Sequence, residues 1–251
     1  MSSQTSAELL RAGFRHGFFG RRGGVSAGPF ASLNVAASTG DDPELVRANR
    51  RRVEEALGVE PGALYFLSQV HGTDAVDVTG SEPFESFVER EGDATFSTSP
   101  RVACGVRSAD CGTVLVGDRV HGSVLAIHAG WRGTVLGVVE RALEALFDRG
   151  SRAEDLVAAT GPMIERCCFE VDEDVAGSIA ASSPDAVDVV DRTRSKPHVD
   201  LRRVIHAKLH ALGLTSVEAV GRCTMCNPDE YFSFRRDGKV SGRMVAAIVR
   251  R

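Results

Sequence analysis

The chain has 251 residues, 43% of them hydrophobic, which is enough apolar side chain for one large core or two small ones. Its 30 Lys and Arg against 34 Asp and Glu leave a formal charge of −4, so bulk electrostatics argue against nucleic acid or an anionic membrane as partner. Apolar runs fall far short of the ~20 residues of a spanning helix, no secretory block opens the sequence, and six cysteines are too few for a disulfide scaffold; a soluble protein of the reducing cytoplasm is expected.

In chain order, residues 1–15 read as a frayed, flexible N-terminus, and residues 16–251 as one catalytic domain without a linker or repeat. A first helix opens at Asp41-Asp42-Pro43, with a cap and a proline at a first helical position. It carries Leu45, Val53 and Leu57 and stops at Gly58. A second runs from near Arg132 through Val135, Val138, Val139, Leu143, Leu146 and Phe147 to Gly150, and a third from Asp200 through Leu201, Val204, Ile205, Leu209 and Leu212 to Gly213. Between them, strands are expected at 63–70, 75–79, 102–106, 113–116, 123–127, 156–159, 168–171, 217–220, 231–234 and 244–249. Gly117-Asp118 and Asp237-Gly238 read as hairpin turns, which makes the sheet mixed rather than purely parallel. The fold class is therefore α/β or α+β, in layers.

Three potential metal ligands share one local context. His71, Cys111 and His128 each stand at or just past an expected strand end, beside Gly72, Gly112 and Ala129-Gly130. Small residues there let the backbone turn sharply and leave room for a ligand, and strand tips are where layered folds build sites. The separations match no short zinc-finger spacing, so only the tertiary fold could assemble such a site. His₂Cys with an open fourth position is a set used by catalytic zinc. Two hydrogen-bonded core histidines and a buried thiol fit the same residues.

The segments Gln69-Val70-His71-Gly72, Ser108-Ala109-Asp110-Cys111 and His128-Ala129-Gly130-Trp131-Arg132-Gly133-Thr134 together resemble the YfiH-like family, once described as polyphenol oxidase or laccase. The likeness continues through Gly161-Pro162-Met163-Ile164, Cys167-Cys168-Phe169-Glu170-Val171, Cys223-Thr224, Asn227-Pro228 and Phe232-Ser233-Phe234-Arg235-Arg236. It implies a zinc-dependent purine nucleoside phosphorylase that also deaminates adenosine and cleaves methylthioadenosine, with one zinc on His71, Cys111 and His128. It implies too an α/β/β/α fold with mixed sheets, related to cysteine hydrolases, and purine nucleosides and phosphate as small-molecule partners. One branch of the family edits a peptidoglycan precursor, which supplies the rival reading. Two departures stand out: Phe19-Gly20 precede Arg21 where the family commonly has Ser-Thr, and Gly112-Thr113 follow Cys111 where it often has Leu-Pro.

Phosphorolysis needs phosphate held against the anomeric carbon and charge relief on the departing purine. Arg21 and Arg132 are phosphate candidates, because a planar guanidinium matches phosphate oxygens. Asp110 is the candidate for proton transfer or for supporting the metal ligand beside it, and Asn34 for substrate binding; turn roles are open for both. A cysteine hydrolase would instead use Cys111 as nucleophile with His71 or His128 as base. Seven histidines without one His-x-His pair argue against multicopper chemistry. The lone Cys223-Thr224-Met225-Cys226 reads as buried thiols, and Cys167 and Cys168 as neighbours on opposite faces of a strand. His206 and His210 read as a solvated helix edge, since Ala207 stands where a metalloprotease carries its glutamate.

Overall fold

The computed structural model describes residues 3–183 and 185–251. In chain order the strands and helices are β1 (Ser3–Gln4), α1 (Ala7–Arg11), β2 (Phe14–Phe19), α2 (Pro43–Leu57), β3 (Leu64–Tyr65), β4 (Ala75–Asp77), β5 (Ala94–Ser97), β6 (Ala103–Ser108), β7 (Gly112–Asp118), β8 (Val124–Ala129), α3 (Trp131–Leu136), α4 (Val138–Phe147), β9 (Leu156–Thr160), α5 (Glu173–Ala181), β10 (Val190–Asp191), β11 (His198–Val199), α6 (Leu201–Ala211), β12 (Ser216–Ala219), α7 (Phe234–Asp237) and β13 (Met244–Arg250). Among the described residues no helix is long and apolar enough to cross a membrane.

Two mixed sheets form the centre, one ordered β1-β2-β13-β6-β3 and the other β12-β9-β7-β8-β5-β4, with β10-β11 as a separate ribbon. Alternation along the strands explains the layering. On β13, Val245, Ala247 and Val249 pack with Val53 and Leu57 of α2, while Ala246 and Ile248 face the second sheet together with Leu115, Val124, Ala126, Val157 and Ala159. The opposite faces of those second-sheet strands, through Val114, Val116, Leu125 and Ile127, pack on Val139, Leu143 and Leu146 of α4 and Val204, Ile205 and Leu209 of α6. The result is the α/β/β/α stack expected. It also explains the continuous apolar runs, since strands buried on both faces need no polar side.

The helix from Asp42 to Gly58 forms as read: Asp42 accepts from the Glu44 amide, and Gly58 closes the helix at φ +64°. The β7-β8 hairpin at Gly117-Asp118 forms as well. The long helix after Arg132 breaks at Gly137, whose φ of +94° ends α3 and starts α4. The segment before His16, expected to fray, is tied down: Ser6 caps α1 and donates to Glu218 on β12, and Leu9 is wholly buried. In 63–70 only Leu64–Tyr65 pairs as a strand, because beyond it the Gln69 side-chain amide takes over both the N–H and the C=O of Arg107.

Two expected strands are absent. At 168–171 the Cys168 and Phe169 amides both turn back to the Glu165 carbonyl, leaving one bridge from Glu170 to His198. At 231–234 the chain instead enters α7, capped by Ser233, and Asp237-Gly238 leads into a 3-10 turn rather than a hairpin. The β-propensity there is overridden by Asp110, whose carboxylate accepts from Ser233 and from the Arg235 amide. The small-residue helix α5 and the strands β2 and β5 had no sufficient period in the sequence.

Candidate metal centre

The three ligand candidates arrive from three places: His71 from the loop after β3, Cys111 from the corner between β6 and β7, and His128 from β8, which pairs with β7 at Thr113. Their donor atoms lie within 4.8 Å of one another, with Cys111 Sγ 3.8 Å from His71 Nε2. The two imidazoles meet edge to face at 4.9 Å between centroids. His128 is buried, Cys111 half-buried and His71 exposed, so the group opens to solvent on the His71 side. His71 (φ 60°) and Asp110 (φ 91°) both hold left-handed backbone that bulky residues avoid, a strain typical of functional sites. Gly130 makes the close approach possible: a Cβ there would stand 2.9 Å from His71 Cδ2 and 3.1 Å from Cys111 Sγ.

Asp93, which the sequence reading passed over because it precedes the unrecognised β5, organises the group. Its buried carboxylate accepts from His128 Nδ1 at 2.7 Å and from the amides of His71 (3.0 Å), Val70 (3.2 Å) and Gly72 (2.6 Å). One side chain thus fixes the His71 loop and the His128 ring, leaving Nε2 of His128 to face Cys111 and His71. Carboxylate-supported histidine of this kind is a regular feature of metal sites.

The charges are matched as well. Burial pushes the Cys111 thiol up, but the His128 charge and hydrogen bonds from His128 and His71 bring it down to about 6. Burial opposes protonation of His128, yet Cys111 and Asp93 raise it to about 9. Burial would raise Asp93 too, and His128 with the loop amides holds it below the ordinary carboxylate range. Without metal these shifts favour a thiolate beside an imidazolium. The donor set and spacing suit one tetrahedral ion with an open position.

The other expected site residues are placed differently. Both carboxylate oxygens of Asp110 are engaged, by Thr224 (2.5 Å), Ser233 and the Arg235 amide, so it braces the Cys111 corner and is not poised for proton transfer. Asn34 is fully buried, bonding Ala36, Thr39, Asp41 and the Arg243 amide, and offers nothing to a substrate. Arg21 is spent on the carbonyls of Ala31 and Pro228 and stacks on Phe232 at 4.6 Å. Arg132 is exposed at the start of α3, over Trp131. The sequence reading missed Arg243 and Arg107. Burial lowers Arg243, while the nearby Cys111 and Asp110 charges raise it; burial and Arg243 push Arg107 down to about 10. The two guanidiniums thus feel each other's charge, and that of Arg243 also feels the thiol.

His206 is not a solvated edge: it is half-buried and within 2.8 Å of Thr160 Oγ1. Nor do Cys167 and Cys168 diverge across a strand or Cys226 bury itself; Cys167 and Cys226 are exposed, and all four sulfurs, with Cys223, gather in one group.

Fold and site define a layered α/β protein with a His₂Cys group that could hold a metal ion at the tips of its central strands. The chain belongs to the YfiH family: the family model described as multi-copper polyphenol oxidoreductase laccase matches residues 15–251. It is similar to the Streptomyces griseus protein named purine nucleoside phosphorylase ORF3, 38% identical over 92% of both chains. It is similar also to the Escherichia coli protein named purine nucleoside phosphorylase YfiH, 36% identical over 91% of this chain and 90% of that one. Among solved structures, YlmD from Geobacillus stearothermophilus superposes with a TM-score of 0.91, 31% identity and coverage of 100% and 97%. Neisseria meningitidis NMB0706 superposes with 0.84, 34% identity and 95% of each chain. The copper in the family description finds no linked histidine set among the described residues; histidines enter one metal-capable group, through His71 and His128.

Proposed function

We propose that this chain is a cytoplasmic purine nucleoside phosphorylase that uses one zinc ion held by His71, Cys111 and His128. It takes adenosine, inosine or guanosine with phosphate to free base and ribose 1-phosphate, takes methylthioadenosine with phosphate to adenine and methylthioribose 1-phosphate, and deaminates adenosine as a side activity. The observation that carries this reading is the His₂Cys group with Asp93 fixing its inner histidine, in a chain whose relatives of 36–38% identity bear the phosphorylase name. Bound zinc supplies Lewis acidity toward an oxygen of phosphate, ribose or water.

The residues supply the rest. In phosphorolysis an oxygen of phosphate forms a bond to C1′ as the bond from C1′ to the purine nitrogen breaks, and negative charge passes to the base. Arg243 sets positive charge near Cys111 while its guanidinium holds the Ser241 and Gly242 carbonyls, and exposed Arg132 is free to meet a phosphate oxygen from the open side. Asp93 keeps the His128 ring turned and its Nδ1 proton in place throughout. The partners in this reading are small molecules, with no role for nucleic acid or membrane.

The thiolate beside an imidazolium favours a second reading, a cysteine hydrolase acting on a peptidoglycan precursor with Cys111 as nucleophile. Stripping the protein with chelator, restoring zinc, and following base release beside alkylation of Cys111 separates the two. The phosphorylase reading expects activity to vanish on stripping and return with zinc, and zinc to protect Cys111 from iodoacetamide. Turnover that persists in stripped protein and dies on alkylation overturns it.

A further inference from the structure

Away from the His₂Cys group, the turn at 165–168 and the Cys-x-x-Cys loop at 223–226 bring four sulfurs together with no other role assigned to them. We infer that Cys167, Cys168, Cys223 and Cys226 form a second metal site, a tetrathiolate that binds zinc and clamps these two loops behind the Asp110 corner. Zinc bound to four thiolates at about 2.3 Å sets neighbouring sulfurs about 3.8 Å apart on a regular tetrahedron. Here all four lie within 4.8 Å of one another, with Cys226 Sγ 3.6 Å from Cys167 and 3.2 Å from Cys168. Three or more sulfurs sharing one neighbour is the pattern of a common central ion; a disulfide would use two of them and strand the others.

The surroundings are built for thiolates. Loading expels the thiol protons and leaves the site with two negative charges, against which two guanidiniums are already set. Arg194 donates to the Cys167 carbonyl at 3.0 Å, and Arg236 to the Thr224 and Met225 carbonyls at 3.1 and 3.2 Å. Asn227 ties the loop further by donating to the Cys223 carbonyl.

The clamp has a mechanical sense. Thr224, inside the Cys-x-x-Cys loop, donates to Asp110 at 2.5 Å and its amide to the Met163 carbonyl, while the Ile164 amide bonds the Asp110 carbonyl. Both clamped loops therefore hold the left-handed Asp110, whose neighbour is Cys111. The two metal groups share no residue, so each can be counted alone.

The test is metal stoichiometry by inductively coupled plasma mass spectrometry on full-length protein, purified with reductant, loaded with zinc and desalted. Two zinc ions per chain are expected in the parent, one in Cys167→Ser/Cys226→Ser, whose exposed positions spare the core, and one in His71→Ala/His128→Ala. Cobalt loaded into the latter variant should give tetrahedral d–d bands and strong thiolate charge transfer, both lost when Cys167 and Cys226 are also replaced. A parent that holds one zinc, a cobalt spectrum without thiolate charge transfer, or a disulfide among these four cysteines in the intact mass of the metal-loaded protein would each overturn the assignment.

Discussion

Replacing Asp93 with Asn keeps size and shape but forces a choice that the carboxylate never faces. Oδ2 of Asp93 accepts from the Val70 and Gly72 amides, and Oδ1 from the His71 amide and His128 Nδ1. If the new amide oxygen keeps the Val70 and Gly72 bonds, its NH₂ opposes the His71 N–H, leaving that donor unpaired, and faces Nδ1 of His128. That imidazole must then accept there and carry its proton on Nε2, the nitrogen a metal needs bare. If the amide flips, NH₂ opposes two backbone N–H groups, at about 1–3 kcal/mol for donors left unpaired. Loss of such outer support typically costs 10- to 100-fold in metal affinity, or about 1.4–2.8 kcal/mol. Zinc competition with a chromophoric chelator, on the Cys167→Ser/Cys226→Ser background so that only the His₂Cys group reports, measures it. An Asp93→Asn affinity within about twofold of the parent, with the fold intact by circular dichroism, would refute the role given to Asp93.

Gly130→Ala should lower zinc affinity and turnover about tenfold or more, because the nearest atoms its Cβ meets belong to His71 and Cys111; unchanged affinity by the same competition would contradict the close approach. Gly137→Ala, at φ +94° between α3 and α4, should cost about 1–2 kcal/mol in urea unfolding, and a stabilised variant would show that the break is not obligatory. His206 is lowered to about 4, by burial first and then by Arg202 and His210. Its folded value lies below the unfolded one, so its contribution is complete above pH 6.5 and is lost as pH falls toward 4, where the unfolded chain takes a proton that the folded chain refuses. The ceiling is about 1.4 kcal/mol per pH unit, and solvent screening of a half-exposed ring brings it nearer half of that. Urea midpoints at pH 7 and pH 5 should diverge less in His206→Gln than in the parent; equal pH dependence in both would remove His206 as the cause.

The layered fold was legible where local signals agreed with tertiary packing. Asp42, Pro43 and Gly58 carry the cap, first turn and stop of α2 in their own chemistry, and the runs at β8 and β13 are apolar on both faces because both are buried. Legibility failed where long-range partners decide. Ser233 and Arg235 turn away from a strand because Asp110, more than a hundred positions earlier, captures them. Cys167 and Cys168 meet Cys226 only through a turn made by Glu165. The trio His71, Cys111 and His128 was recognisable from its strand-end setting and family likeness. Asp93 was not, since a lone Asp before a four-residue strand carries no local mark of the four bonds it accepts. Arg21 was a candidate because a guanidinium in a Gly-flanked run suits phosphate, and Asn34 because its segment resembles a polar family segment, while their hydrogen bonds tie them to neighbouring loops.

The central claim is that this chain joins phosphate to the ribose of a purine nucleoside at the His₂Cys group. Mass-spectrometric product analysis of the zinc-loaded protein with adenosine, with and without phosphate, beside Cys111→Ala, tests it most directly. The account predicts adenine and ribose 1-phosphate only when phosphate is present, a minor phosphate-independent yield of inosine, and neither in Cys111→Ala. Failure to form either product in protein that retains zinc, or equal product from Cys111→Ala, would contradict it.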